Sequence, residues 1–149
     1  MLVKKVPNRN CDFQWPYEED LMRMMEGKVL KLSQIEVWHT EHGALGGIRV
    51  TLNNGEQSPY YKCNGTSKDR KVIKIDQNED PAAIHIITRE YTTNALKITD
   101  RYDKPLSNEW VGINDAPYTK TNLKPSDQIV GIYGGRKGQY LMNFGFIIA

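Results

Sequence analysis

Beyond Gly27, short apolar runs rich in β-branched residues recur with a period of two and are separated by turn residues, as expected of strands that bury one face. They predict strands near Ile35 to His39, Ile48 to Leu52, Val72 to Ile75, Ile84 to Thr88, Leu96 to Thr99, Trp110 to Ile113, Ile129 to Tyr133 and Leu141 to Ile148. Asn53-Asn54-Gly55 marks a tight turn, because Asn and Gly tolerate positive φ. Pro59, Pro81, Pro105, Pro117 and Pro125 fall between the runs, where a missing N–H costs no ladder bond. Before Gly27 the grammar is helical: Pro16 at the start, Glu18, Glu19 and Asp20 in the first turn, and Gly27 at the exit. A helix of about ten residues is expected there, with Leu21, Met22, Met24 and Met25 packing one side. The predicted class is all-β with one short N-terminal helix.

The strands repeat in pairs. Ile35-Glu36-Val37 is followed 13 residues on by Ile48-Arg49-Val50, Ile84-His85-Ile86 is followed 12 residues on by Leu96-Lys97-Ile98, and Val130-Gly131-Ile132 is followed 14 residues on by Phe144-Gly145-Phe146. The three starts lie 49 and 46 residues apart. Three hairpins with one apolar face each predict pseudo-threefold packing, since each face is buried only against the other two.

Composition narrows the function classes. The chain has 149 residues, 39% hydrophobic, with 20 basic and 18 acidic side chains and a net charge of +2. That fits one compact domain and is too weakly basic to point to nucleic acid. The longest nearly uninterrupted apolar run, Phe144 to Ala149, is far short of the ~20 residues of a membrane span. No apolar stretch of signal-peptide length follows Lys4-Lys5, so a cytoplasmic location is expected, with a cytoskeletal or ciliary setting as a guess. Cys11 and Cys63 are expected as free thiols, and Asn64-Gly65-Thr66 as a polar turn.

The closing segment, from Asp127 through Gly131-Ile132-Tyr133-Gly134-Gly135-Arg136-Lys137-Gly138 to Phe144-Gly145-Phe146, resembles the last hairpin of the jacalin-related lectin domain. Ile84 to Gly112 resembles that family's middle pair and Ser33 to Tyr61 its first, so the similarity spans about Leu32 to Ala149. The resemblance implies a β-prism of three four-stranded antiparallel sheets with pseudo-threefold symmetry. It divides the chain into an N-terminal arm with a short helix over 1–27 and a jacalin-like prism over 28–149. It also implies a sugar-binding loop at a hairpin tip, Gly-x-x-x-Asp, whose carboxylate accepts hydrogen bonds from sugar hydroxyls. Here that loop reads Gly138-Gln139-Tyr140-Leu141-Met142, with a thioether where the acid stands in the family. The first tip, His42 to Gly47, offers glycine at the matching place and the middle unit offers Asn94. A degenerate sugar site is therefore expected, with no millimolar binding of mannose, galactose or glucose. Asn94, Asn143 and Tyr140 remain as partial substitutes.

Other constellations read as surface chemistry. His39-Thr40-Glu41-His42 lacks a second ligand pair and is expected to be a solvated turn, with no metal and no cofactor. Gly134 to Gly138 has no helix behind it to make a phosphate cradle. His85 alternates with Ile84 and Ile86, so it is expected to be exposed or in a satisfied polar contact. Ser33, Ser58, Ser67, Ser107 and Ser126 lie in no nucleophile context, and no enzyme is expected. The functional expectation is a non-catalytic binding module acting as a structural or adaptor subunit of a larger intracellular assembly; the alternative is a carbohydrate-binding lectin of altered specificity. Its expected partners are proteins in that assembly, or glycans, with neither nucleic acid nor membrane. Phe13, Trp15, Tyr17, Leu21, Met22, Met24 and Met25 are the candidate partner-binding residues, because aromatics and methionine favour interface cores. The competing reading, favoured for the helix, has this segment packing on its own domain and closing an end of the prism.

Overall fold

A computed structural model describes residues 4–7, 11–90, 92–106, 111–112 and 117–149. Its strands are β1 (Lys4–Val6), β2 (Phe13–Trp15), β3 (Leu32–Thr40), β4 (Leu45–Leu52), β5 (Tyr61–Lys62), β6 (Thr66–Lys74), β7 (Ala83–Arg89), β8 (Thr92–Thr99), β9 (Val111–Gly112), β10 (Tyr118–Asn122), β11 (Ile129–Lys137) and β12 (Tyr140–Ile148), with one helix, α1 (Glu18–Met24). The three predicted hairpins are β3–β4, β7–β8 and β11–β12, all antiparallel. Each acquires a strand on either side. The first sheet runs β5-β4-β3-β6, the second β10-β7-β8-β9, and the third β1-β12-β11-β2. The second and third four-stranded sheets are joined at one point, by the pair Met142 with Thr92, which makes their eight strands continuous there.

The alternation along each hairpin explains the core. Ile35, Val37, Ile48 and Val50 from the first hairpin, Ile84, Ile86, Leu96 and Ile98 from the second, and Ile132, Phe144 and Phe146 from the third are all buried in one cluster. Phe144 and Phe146 meet edge to face at 5.2 Å between centroids. A Cβ on Gly145 would collide with the Tyr133 phenol, so only glycine lets the last two strands close over that ring.

The N-terminal segment departs from expectation. β1 pairs Lys4 with Ile148 and Val6 with Phe146, while β2 pairs Trp15 with Ile132 and Phe13 with Gly134. Residues 4–6 and 13–15, from the segment expected as an arm, thus supply both outer strands of the third sheet. A side chain at Gly131 would run into the Trp15 carbonyl oxygen, which shows how closely β2 is laid on β11. α1 is seven residues long rather than about ten, ending at Met24 with Met25 as its cap before Gly27 turns the chain at φ +65°. Leu21 and Met24 are buried beneath it. β1, β2, β5 and β10 were not foreseen: three are two or three residues long, and Tyr118–Asn122 has no apolar alternation because its faces remain largely in water. The strand expected from Trp110 to Ile113 is seen only as Val111–Gly112; its end residues lie outside the described ones.

One polar network sits on the outward side of the first sheet. Glu36 is 1% exposed and accepts bonds from Arg49 Nε at 2.8 Å and Nη2 at 2.9 Å, and from Arg70 Nη1. Beside it Trp38 stacks on Tyr60 at 4.1 Å, and the Arg49 guanidinium lies over the indole. Hydrogen bonding from Arg49 holds the Glu36 carboxyl below its ordinary value of 4.5, against the opposing effect of burial, and Arg70 adds to the lowering.

Two outcomes follow from this packing. Deleting residues 1–26 removes Phe13, Leu21 and Met24 from the core, at about 1.5–3 kcal/mol for each buried side chain, so denaturant unfolding of the truncated protein should show a loss of several kcal/mol or no cooperative transition. Glu36→Gln should lower stability near neutral pH by about 1.5 kcal/mol, the low end for charged hydrogen bonds because both guanidiniums reach water. A depressed folded pKa means this stabilisation is complete above pH 4.5 and is lost as pH falls through the folded value. The gap between parent and variant should accordingly narrow in unfolding curves taken below pH 4.5.

Candidate functional site

The β11–β12 tip and the β7–β8 tip stand side by side because the Met142–Thr92 pair welds their strands together. Between them lies a cleft of about 340 Å³ lined by Glu90, Thr92, Lys137, Gly138, Gln139, Tyr140 and Met142. That volume is at the small end for organic ligands. Four of the five residues expected in the sugar loop line it. Leu141, fully buried, points into the core instead.

The sequence sets up both tips locally. Gly138 turns the chain at φ +59° between Lys137 and the start of β12, a conformation that an L side chain adopts only with strain. Glu90 opens the two-residue link between β7 and β8 at φ +58°, although it is not glycine. Thr92 closes that turn: its hydroxyl donates to the Arg89 carbonyl oxygen at 2.8 Å and lies 3.0 Å from Asn94 Oδ1. Asn94 is buried within β8, so it offers the cleft nothing directly. Asn143 follows Met142 in a left-handed conformation and does not line the cleft.

A third loop braces the site from the first sheet. The Asn64 N–H donates to the Gly138 carbonyl oxygen at 3.1 Å, and Gly65, at φ +71°, lies against the Gln139 side chain. Thr66 Oγ1 sits 2.6 Å from the Cys63 carbonyl oxygen and 3.0 Å from that of Gly46, tying this loop to the first tip. Asn64-Gly65-Thr66 is therefore a turn, as expected, but one pressed against the third hairpin. Behind it Tyr61 stacks on Phe13 at 4.1 Å, with Arg136 over the ring. Burial raises the Tyr61 hydroxyl and the Cys63 thiol above their ordinary values, so both remain protonated at neutral pH. Cys11 and Cys63 are both free.

Glu90 brings an acid to the cleft from a position other than that of the family's loop acid. Its carboxylate is exposed in the same cleft as the loop whose acid is replaced by Met142. The residue was legible in principle, standing midway between Ile84 and Leu96 where a hairpin of that spacing must turn. It was missed because the loops were compared position by position, whereas the cleft is shared by two neighbouring tips. In chemical terms the cleft combines an anionic acceptor in Glu90, donors in Lys137 and Gln139, and apolar surface from Tyr140 and Met142.

The remaining candidates are scattered. Phe13, Leu21 and Met24 belong to the core, and Trp15 and Met25 pack against it half-buried. Only Tyr17 and Met22, 62% and 56% exposed, remain open to a partner. Burial, and to a lesser degree Lys71, lowers the pKa of His39, while Glu41 and His42 face each other at 3.3 Å in solvent. Among the described residues, no cluster of three or more His, Cys, Asp or Glu side chains is placed to hold a metal. Of the two alternatives expected for His85, the polar contact is the one seen: the ring is buried with Nε2 2.9 Å from Thr99 Oγ1. No described helix is long and apolar enough to cross a membrane.

No family model matches the sequence, and no curated protein does. Solved structures do resemble the fold. A prostate-specific WGA16 glycoprotein lectin aligns with a TM-score of 0.65 at 14% identity, over 80% of this chain and 82% of that one. Artocarpin, a lectin with mannose specificity, aligns at 0.62 and 18% identity, over 80% and 83%. The mannose-binding lectin from champedak aligns at 0.58 and 23%, over 80% and 82%. With three four-stranded sheets around a shared core and these neighbours, the chain has the jacalin-like β-prism fold of the jacalin-related lectins.

Proposed function

We propose that this protein is a carbohydrate-binding module that takes a terminal pyranose in the cleft between its second and third hairpin tips, with Glu90 accepting hydrogen bonds from two ring hydroxyls. The observation that carries this reading is the Glu90 carboxylate, brought into the same cleft as Gly138, Tyr140 and Met142. A pyranose has hydroxyls along its edge and a face of C–H groups. An ionised carboxylate suits the hydroxyls because it only accepts, while Lys137 and Gln139 donate and the Tyr140 ring and Met142 thioether cover the face. Fold alone does not assign an activity, but artocarpin, a structural neighbour with mannose specificity, makes a hexose the reasonable first ligand. The site differs from a Gly-x-x-x-Asp loop because its acid, Glu90, comes from the neighbouring hairpin rather than from the position of Met142.

Binding rather than turnover is the role of such a site: Glu90 has no second carboxylate among the cleft residues to complete a hydrolytic pair. The adaptor reading draws less support, because three of the seven residues on which it relied are core.

An NMR titration with mannose, methyl α-mannoside, galactose and glucose tests the reading. Saturable amide shifts confined to residues 137–142, 90 and 92 are expected for at least one sugar, with millimolar affinity. Glu90→Gln should weaken that binding by about ten- to a hundredfold, the loss of a charge-assisted acceptor, while leaving the melting temperature near the parent's. No saturable shift with any sugar, or shifts indifferent to Glu90→Gln, would overturn it.

A further inference from the structure

Besides the tip cleft, the described residues leave one long strand edge without a neighbouring strand. β6 pairs with β3 alone, and over its nine residues carries Lys68, Arg70, Lys71 and Lys74 against a single acid, Asp69. The other edge strands, β1, β2, β5, β9 and β10, are described over two to five residues each. The register shows which amides are free. Ile75 donates to the Ser33 carbonyl oxygen, and Ile35 stands opposite Ile73 two residues along, so the intervening Lys74, Val72 and Arg70 direct their N–H and C=O groups away from β3. No described residue takes them up.

Side chains on the outward face reinforce that edge. Arg70 and Lys74 stand across from Trp38 and Gln34, on the same side of the sheet as Glu36, Arg49 and Lys62. Four cations thus share this face with one carboxylate, although the whole chain is only +2. Cations on an edge strand commonly serve to repel chance pairing. Repulsion needs no fixed geometry, however, and here the buried Glu36 carboxylate orients the Arg70 guanidinium while half of that side chain stays in water.

We propose that β6 is a docking edge for an extended acidic segment of another protein, which adds to the first sheet as a fifth strand antiparallel to β6. Main-chain bonds to Arg70, Val72 and Lys74 provide the attachment, and Glu or Asp side chains at alternate positions face Arg70 and Lys74. The same charges that reject neutral or basic strands select an acidic one. This surface is separate from the tip cleft, so the inference does not depend on sugar binding.

The test uses the full chain and a fluorescein-labelled decapeptide of alternating glutamate and threonine. Anisotropy should show saturable binding that weakens with salt and is absent for the lysine–threonine counterpart. Amide exchange followed by NMR should slow at Arg70, Val72 and Lys74 on saturation and not at Ile73. Val72→Pro removes an outward N–H without breaking a bond to β3, and should weaken binding by at least about tenfold; Lys74→Glu should do likewise. If Val72→Pro melts well below the parent, the exchange pattern of the parent decides. Absence of binding, binding that leaves those three amides unprotected, full affinity in a folded Val72→Pro, or heparin protecting the edge as well as the peptide would overturn the proposal.

Discussion

A hairpin with one apolar face cannot stand in water alone, and three such hairpins in one chain leave a single economical solution, mutual burial around a shared axis. The described structure is organised by that constraint. Ile35, Ile84 and Val130 occupy corresponding places in the three hairpins and all enter the same core. Closure then dictates details far from the axis. Gly145 is bare because the Tyr133 ring fills the space where its side chain would be, and Gly131 is bare because β2 lies against it. The third sheet is completed by strands from the other end of the chain, so the two termini are tied through β1 and β12.

Once the apolar faces are spent inward, chemistry is left to the tips and the outward faces, and the two behave differently. The tips are short turns with left-handed backbone at Gly138, which glycine adopts freely, and at Glu90, which does so with strain, and they present side chains to one another across a small cleft. The outward face of the first sheet is flat, and its charges are held by a network: a buried carboxylate gripped by two half-solvated guanidiniums, with an aromatic pair alongside. Removing one member of such a network leaves the others without partners, so it acts as a unit. The cleft groups are more independent, since the Glu90 and Lys137 side chains both stand in solvent.

Reading the chain position by position misjudged residues whose partners are distant in sequence. Phe13, Leu21 and Met24 look like an interface because the residue types that suit a partner also suit a core, and only β2 pairing with β11 decides between them. His85 looks outward-facing from its alternation with Ile84 and Ile86, and it is outward-facing; Tyr118 from β10 and the Thr99 hydroxyl nevertheless enclose it. Glu90 was passed over because no local motif marks a residue whose neighbours belong to another hairpin.

The alternation of apolar residues, the turn signals and the spacing of the repeat determined the class, the three hairpins and the threefold plan, since a period of two on a strand fixes which side is buried before any partner is known. The helix was likewise marked by its acids and its terminal glycine, though not its length, which ends where Met24 meets the core. Tertiary structure alone decided that residues 4–6 and 13–15 belong to the third sheet and that Glu90 shares a cleft with Met142. It also decided that Arg70 sits on a buried carboxylate while its own amide faces an open edge. Each of these depends on contacts between segments tens of residues apart, and such contacts are set by packing the whole core rather than by any window of the chain.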